Sequence, residues 1–140
     1  MKTLHKIALA AVLVLGVGTV HAGVVVVVGA KSAVISLDKA QVSDIFLGKV
    51  ATFPSGAQAV PVDQAEGSGQ REEFHAKVTG KNGAQLSAYW SKLVFSGKAS
   101  PPKEVPGEAD VKVLVTANPN LIGYIDSAAV DASVRVVFAP

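Results

Sequence analysis

The 140-residue chain contains no cysteine. That absence removes disulfide frameworks, thiolate metal sites and cysteine nucleophiles together. Aromatic residues are scarce, 6% against 49% apolar overall, so the core must be mostly aliphatic. There is no block of like charge and the formal net charge is only +2, which leaves nucleic-acid binding without support. Beyond residue 22 the only histidine is His75, too few ligands for a zinc site, and no metal or cofactor is expected. What the chain does have is thirteen glycines and seven prolines, which signal many turns, in a composition too apolar for disorder. Its length suits one domain of about 100–200 residues.

Residues 1–22 have the layout of a cleavable export signal. Lys2, His5 and Lys6 form a basic start, an apolar stretch runs from Ile7 to Val20, and Ala22 precedes a cut at Gly23. The competing reading is a retained membrane anchor, since Val24 to Val28 prolong the apolar run. His21 interrupts that run and no basic stop-transfer cluster follows, so a periplasmic protein spanning residues 23–140 is expected. Cleavage removes Lys2 and Lys6 and leaves eleven basic against eleven acidic residues. A neutral surface does not capture polyanions electrostatically.

Val24 to Val28 is a β-branched run without alternation, the mark of a strand buried on both faces. Ser36 is positioned to cap a short helix whose buried side would include Leu37, Ala40, Ile45 and Phe46, with Gly48 as its stop. A turn is expected over residues 52–56 and a short strand over 59–62, which Pro61 pushes toward a sheet edge. A Gly-rich turn then opens a helix carrying Phe74 and Val78 on one face. Leu86, Tyr89, Trp90, Leu93 and Val94 recur at helical spacing and predict a helix with Trp90 largely buried. Residues 96–107 hold three prolines and two glycines and read as a surface loop. Strands are predicted over 111–116, 121–125 and 133–138. This order is that of an α/β fold, a mixed sheet of about four or five strands flanked by helices.

The turn of Gly67, Ser68 and Gly69 is the most chemical feature of the sequence. Glycines let backbone approach a ligand, and the N–H groups opening a helix attract an anion. Ser68 Oγ can add a hydrogen bond, and Arg71 offers a bidentate fork. The structural alternative is that Ser68 only caps the helix and Arg71 points to water. Catalysis finds no footing, so an enzyme is not expected. Glu66 breaks the nucleophile-elbow pattern, and Glu72 and Glu73 diverge on a helix. His75 reads as a solvated helix residue.

Several pieces occur in one order: residues 42–50 containing Ile45, Phe46, Leu47, Gly48 and Lys49; Val60, Pro61 and Val62; Gly67, Ser68 and Gly69 with Phe74; Tyr89 and Trp90; and residues 118–125 containing Gly123 and Tyr124. As an ordered set they resemble the periplasmic phosphate-binding proteins of phosphate ABC transporters. The resemblance implies one three-layer lobe of a type 2 periplasmic binding protein, acting in solute binding and transport. It also implies a phosphate or related oxyanion held at Gly67, Ser68, Gly69, Gln70 and Arg71. Ser68 and Gly69 carry over directly from the family's phosphate loop. The family's arginine four residues before the serine is here Gln64, its hydroxyl residue after the glycine is Gln70, and Arg71 is the available replacement charge. Since the second lobe of the family supplies further ligands, binding is expected to be weak unless a second copy or a periplasmic or membrane partner completes the cleft. The alternative is a lone lobe that docks a partner and has lost tight phosphate binding.

Overall fold

The computed structural model describes residues 23–140, so the expected export signal lies outside the described residues. Five strands form one mixed sheet: β1 (Val24–Gly29), β2 (Val60–Gln64), β3 (Lys103–Val105), β4 (Leu121–Asp126) and β5 (Val134–Phe138). Their order across the sheet is β3-β2-β4-β1-β5. β1 runs antiparallel to both neighbours, with Val24 opposite Asp126 and Val28 opposite Arg135. Every residue of β1 is buried. Val24, Val26 and Val28 join one core with Ile122 and Tyr124, while Val25 and Val27 join a second with Val62 and Ile125. A strand with a core on each face has no solvent side, which is why its sequence does not alternate.

Helix α1 (Lys39–Phe46) and helix α2 (Gly69–Phe74) cover one face of the sheet. α1 is capped by Asp38, not by the predicted Ser36: Asp38 Oδ1 accepts the Gln41 N–H and Gln41 Oε1 accepts the Asp38 N–H, a reciprocal box. Its buried residues are Val42, Ile45 and Phe46, whereas Leu37 is buried ahead of the helix and Ala40 faces solvent. The helix stops where Gly48 takes φ +69. α2 continues into one π turn over His75–Thr79, closed by the Gly80 N–H donating to His75 O at 2.7 Å. Phe74 and Val78 are buried as their spacing predicted.

Helix α4 (Glu108–Ala117) covers the other face. A strand had been expected there, because Val111, Val113 and Val115 alternate. The helix wins because Val111 and Val115 are also i and i+4, and both are fully buried against the sheet while Val113 stays exposed. Two glycines admit it at close range: a Cβ on Gly29 would overlap Val115 O, and one on Gly123 would overlap Val111 Cγ1.

Three further expectations are corrected. β2 is not an edge strand; Pro61 is tolerated because the Val60 N–H faces β4, so the proline nitrogen faces the other side, where β3 begins only opposite Val62. The Pro-rich loop contains β3, a parallel edge strand. Helix α3 (Gly83–Phe95) forms as predicted, but Leu86 is its one buried residue, Tyr89 and Trp90 are half-buried, and Phe95 is 96% exposed. α3 lies off the sheet, tied to the end of α1 by Tyr89 Oη donating to Leu47 O at 2.6 Å and by Trp90 over Gly48. No helix among the described residues is long and apolar enough to cross a membrane.

Candidate functional site

β2, β3 and β4 are mutually parallel, so their carboxyl ends meet along one edge of the sheet. Open α/β sheets place ligands outside such ends. Gln64 ends β2, and after it the chain turns through Gly67, at φ +93, into α2. Ser68 caps that helix: its Oγ accepts the Arg71 N–H at 3.3 Å and donates to Gln64 Oε1 at 2.7 Å. The capping role is therefore realised. The N–H groups of Gly69 and Gln70, one and two residues into the helix, have no acceptor within it.

The side chains around the turn form a directed relay. Gln64, 2% exposed, donates through Nε2 to Gln70 Oε1 at 2.7 Å and to Tyr124 O at 3.1 Å. Gln70 Nε2 donates to Glu108 Oε2 at 2.8 Å, and the Asp126 N–H donates to the same oxygen at 3.0 Å. Glu108 opens α4, whose capping residue Gly107 brings no side chain, so the carboxylate also sits favourably at a helix N-terminus.

The Arg71 side chain is largely buried and does not point to water. Its Nη1 donates to Gln64 O at 2.8 Å and to Glu104 Oε1 of β3 at 2.7 Å, and lies 3.9 Å from Asp63 Oδ2. Burial opposes the guanidinium charge, but the Glu104 hydrogen bond and the Asp63 charge outweigh it and raise the Arg71 pKa. The five expected site residues thus share one turn but border two depressions. Ser68, Gly69 and Gln70 line an open groove with Gly107 and Glu108. Gly67 and Arg71 line a cleft of about 510 Å³ between α2 and α3, with His75 and Lys81.

Beneath the turn lies a buried polar cluster that the sequence reading missed. His75 is 2% exposed, not solvated: Nε2 meets Asp63 Oδ2 at 2.9 Å and Nδ1 meets Thr79 Oγ1 at 3.0 Å. A carboxylate only accepts, so Nε2 carries the proton of that bond. Asp63 Oδ1 accepts the Tyr124 hydroxyl in a short hydrogen bond and the Gln64 N–H at 3.0 Å. Burial would raise the Asp63 carboxyl, but His75, the Tyr124 hydroxyl and Arg71 outweigh it and hold it below the usual carboxylate range. Burial and the Asp63 charge push the Tyr124 phenol far up. Tyr124 stacks on Phe74 at 4.2 Å, and Phe46 packs on Phe74 at 4.7 Å, so scarce aromatics concentrate behind the turn. The one sequence hint of this cluster is a carboxylate at the end of an apolar strand, Asp63 after Val62; nothing local marks Glu104 or Glu108. Among the described residues no group of three His, Asp or Glu side chains could hold a metal ion.

No family model matches the chain, and no curated protein sequence does. Solved structures do. A protein from Clostridium perfringens assigned as a phosphate ABC transporter substrate-binding protein, with phosphate bound, superposes with a TM-score of 0.65 at 28% identity, over 82% of this chain and 44% of its own. An ABC-type phosphate transport receptor from Vibrio cholerae gives 0.66 at 22% identity, again over 82% of this chain and 45% of its own. PstS from Borrelia burgdorferi gives 0.55 at 11% identity, over 82% of this chain and 46% of its own. The chain has the fold of part of a phosphate-type substrate-binding protein, as the sequence motifs implied. It spans less than half the length of these structures.

Proposed function

We propose that this chain is an exported, non-catalytic oxyanion-binding lobe, related to the substrate-binding components of phosphate ABC transporters and seating phosphate at residues 67–71. The observation that supports this most is positional. A Ser-Gly turn opens a helix at the shared carboxyl edge of three parallel strands, in a fold matched by a protein solved with phosphate bound. Residues 69–79 are helical throughout, so the dipole behind the turn is longer than α2 alone. The Gly69 and Gln70 N–H groups and Ser68 Oγ are the first donors to the anion. Arg71 joins them by exchanging Glu104 for the ligand.

The magnitudes make this a weak site. Each hydrogen bond to a charged group contributes about 1.5–3 kcal/mol, and a helix terminus about 0.3–1 kcal/mol. Association costs at least about 4 kcal/mol. Three such bonds leave a dissociation constant of about millimolar. Tighter binding requires a second body over the turn, a second copy or a partner protein, to exclude water.

The test is a phosphate titration followed by backbone amide shifts. Shifts should concentrate at residues 67–71 with millimolar affinity, and Ser68→Ala and Arg71→Ala should each weaken binding with the fold intact. Shifts clustered elsewhere would overturn the assignment.

A further inference from the structure

We propose that Glu108 is a built-in anion that takes the Gln70 side-chain amide beside the residue 67–71 turn and sets the selectivity of that turn against external oxyanions. The inference rests on the reading of that turn as an anion seat and goes beyond it by naming the residue that keeps it shut. The hydrogen bonds along the groove all point one way. Ser68 Oγ donates to Gln64, Gln64 Nε2 donates to Gln70, and Gln70 Nε2 donates to Glu108 Oε2, which also takes the Asp126 N–H. The last acceptor is a carboxylate, held at the N-terminus of α4 and in the same groove as Ser68, Gly69 and Gln70.

The consequence for a ligand is direct. An oxyanion seated on the Gly69 and Gln70 N–H groups also needs the Ser68 hydroxyl as a donor, and that hydroxyl is committed to a chain that ends on a negative charge. It must also approach that charge, because Glu108 lines the same groove as Ser68, Gly69 and Gln70. The other carboxylate lining the groove, Glu73, accepts Lys77 Nζ at 2.8 Å, so Lys77 offsets its charge. The contacts of Glu108 in the groove are neutral donors, so no paired cation neutralises it in those contacts.

The experiment compares phosphate binding to the wild-type protein, Glu108→Ala, Glu108→Gln and Asp110→Ala. Asp110 shares the first turn of α4 and is exposed, so it controls for net charge. Glu108→Ala should bind phosphate at least about tenfold more tightly, the equivalent of one charge-assisted hydrogen bond, with amide shifts at residues 67–71. Glu108→Gln keeps an acceptor for Gln70 and the Asp126 N–H but loses the charge, and should gain less. Asp110→Ala should bind as wild type does. An equal gain in Asp110→Ala, or no gain in Glu108→Ala, overturns the inference. Should Glu108→Ala fail to fold, absence of any gain in the isosteric Glu108→Gln overturns it equally. If the wild type binds at residues 67–71 and no Glu108 variant improves on it, this inference alone fails. If no protein in the series binds phosphate, the anion-seat reading fails with it.

Discussion

Removing the Asp63 carboxylate should cost more stability than any other polar substitution near the turn. Asp63 is 3% exposed and is the common acceptor of His75 Nε2, the Tyr124 hydroxyl and the Gln64 N–H. Asp63→Ala strands His75 Nε2 and the Tyr124 hydroxyl in a buried site, leaves the Gln64 N–H only its bond to Tyr124 Oη at 3.1 Å, and leaves Arg71 with less opposing charge. Breaking a buried charged pair from one side costs about 3–5 kcal/mol. At about 4 °C per kcal/mol for a chain of this size, the melting temperature should fall by roughly 12–20 °C. Asp63→Asn should be milder, about 1–2 kcal/mol. Its oxygen can serve Tyr124 and Gln64, while His75 moves its proton to Nδ1, accepts the new amide at Nε2 and donates to Thr79. Chemical denaturation monitored by circular dichroism reads both variants. The pH dependence has a definite sign. The folded carboxyl lies below its ordinary value, so the folded state binds this proton more weakly than the unfolded chain. Its contribution is fully present above about pH 4 and is lost as pH falls through the folded value, and Asp63→Asn should flatten that acid limb. An Asp63→Ala protein that loses less than about 1 kcal/mol would refute the reasoning.

Two further outcomes test the local structure. Asp38→Ala should lower stability by about 1 kcal/mol by removing the box that starts α1, whereas Ser36→Ala should change it by less than about 0.5 kcal/mol, as urea denaturation would show. Gly123→Ala should cost about 1–3 kcal/mol, because the new methyl overlaps Val111 Cγ1 in a packed layer; a neutral melting temperature would contradict the close approach of α4 to β4.

Residues 23–140 declared much of their structure locally. Five consecutive valines can only be satisfied by apolar cover on two faces, and the sheet supplies it. The turn at Gly67 and Ser68 was legible because φ +93 and a capping hydroxyl are local requirements that few residue types meet. The order of short motifs pointed to the fold of part of a phosphate-type substrate-binding protein, which the solved structures match. The remainder depended on partners distant in the chain. Val111 to Val115 satisfies a strand and a helix pattern equally well, and Gly29 and Gly123 decided for the helix by admitting it against the sheet. The Leu86 to Val94 row has the clearest helical period in the sequence, yet the sheet it would cover is already taken by α1 and α2, so most of that row stays at the surface. His75 carries no local sign of burial; Asp63 and Tyr124, twelve and forty-nine residues away, make its position tolerable. Glu108, thirty-eight residues from Gln70, is the same case at the site itself. Periodicity and turn chemistry are short-range and visible in a string of residues, whereas the pairing of buried polar groups belongs to whatever the fold brings within three ångströms.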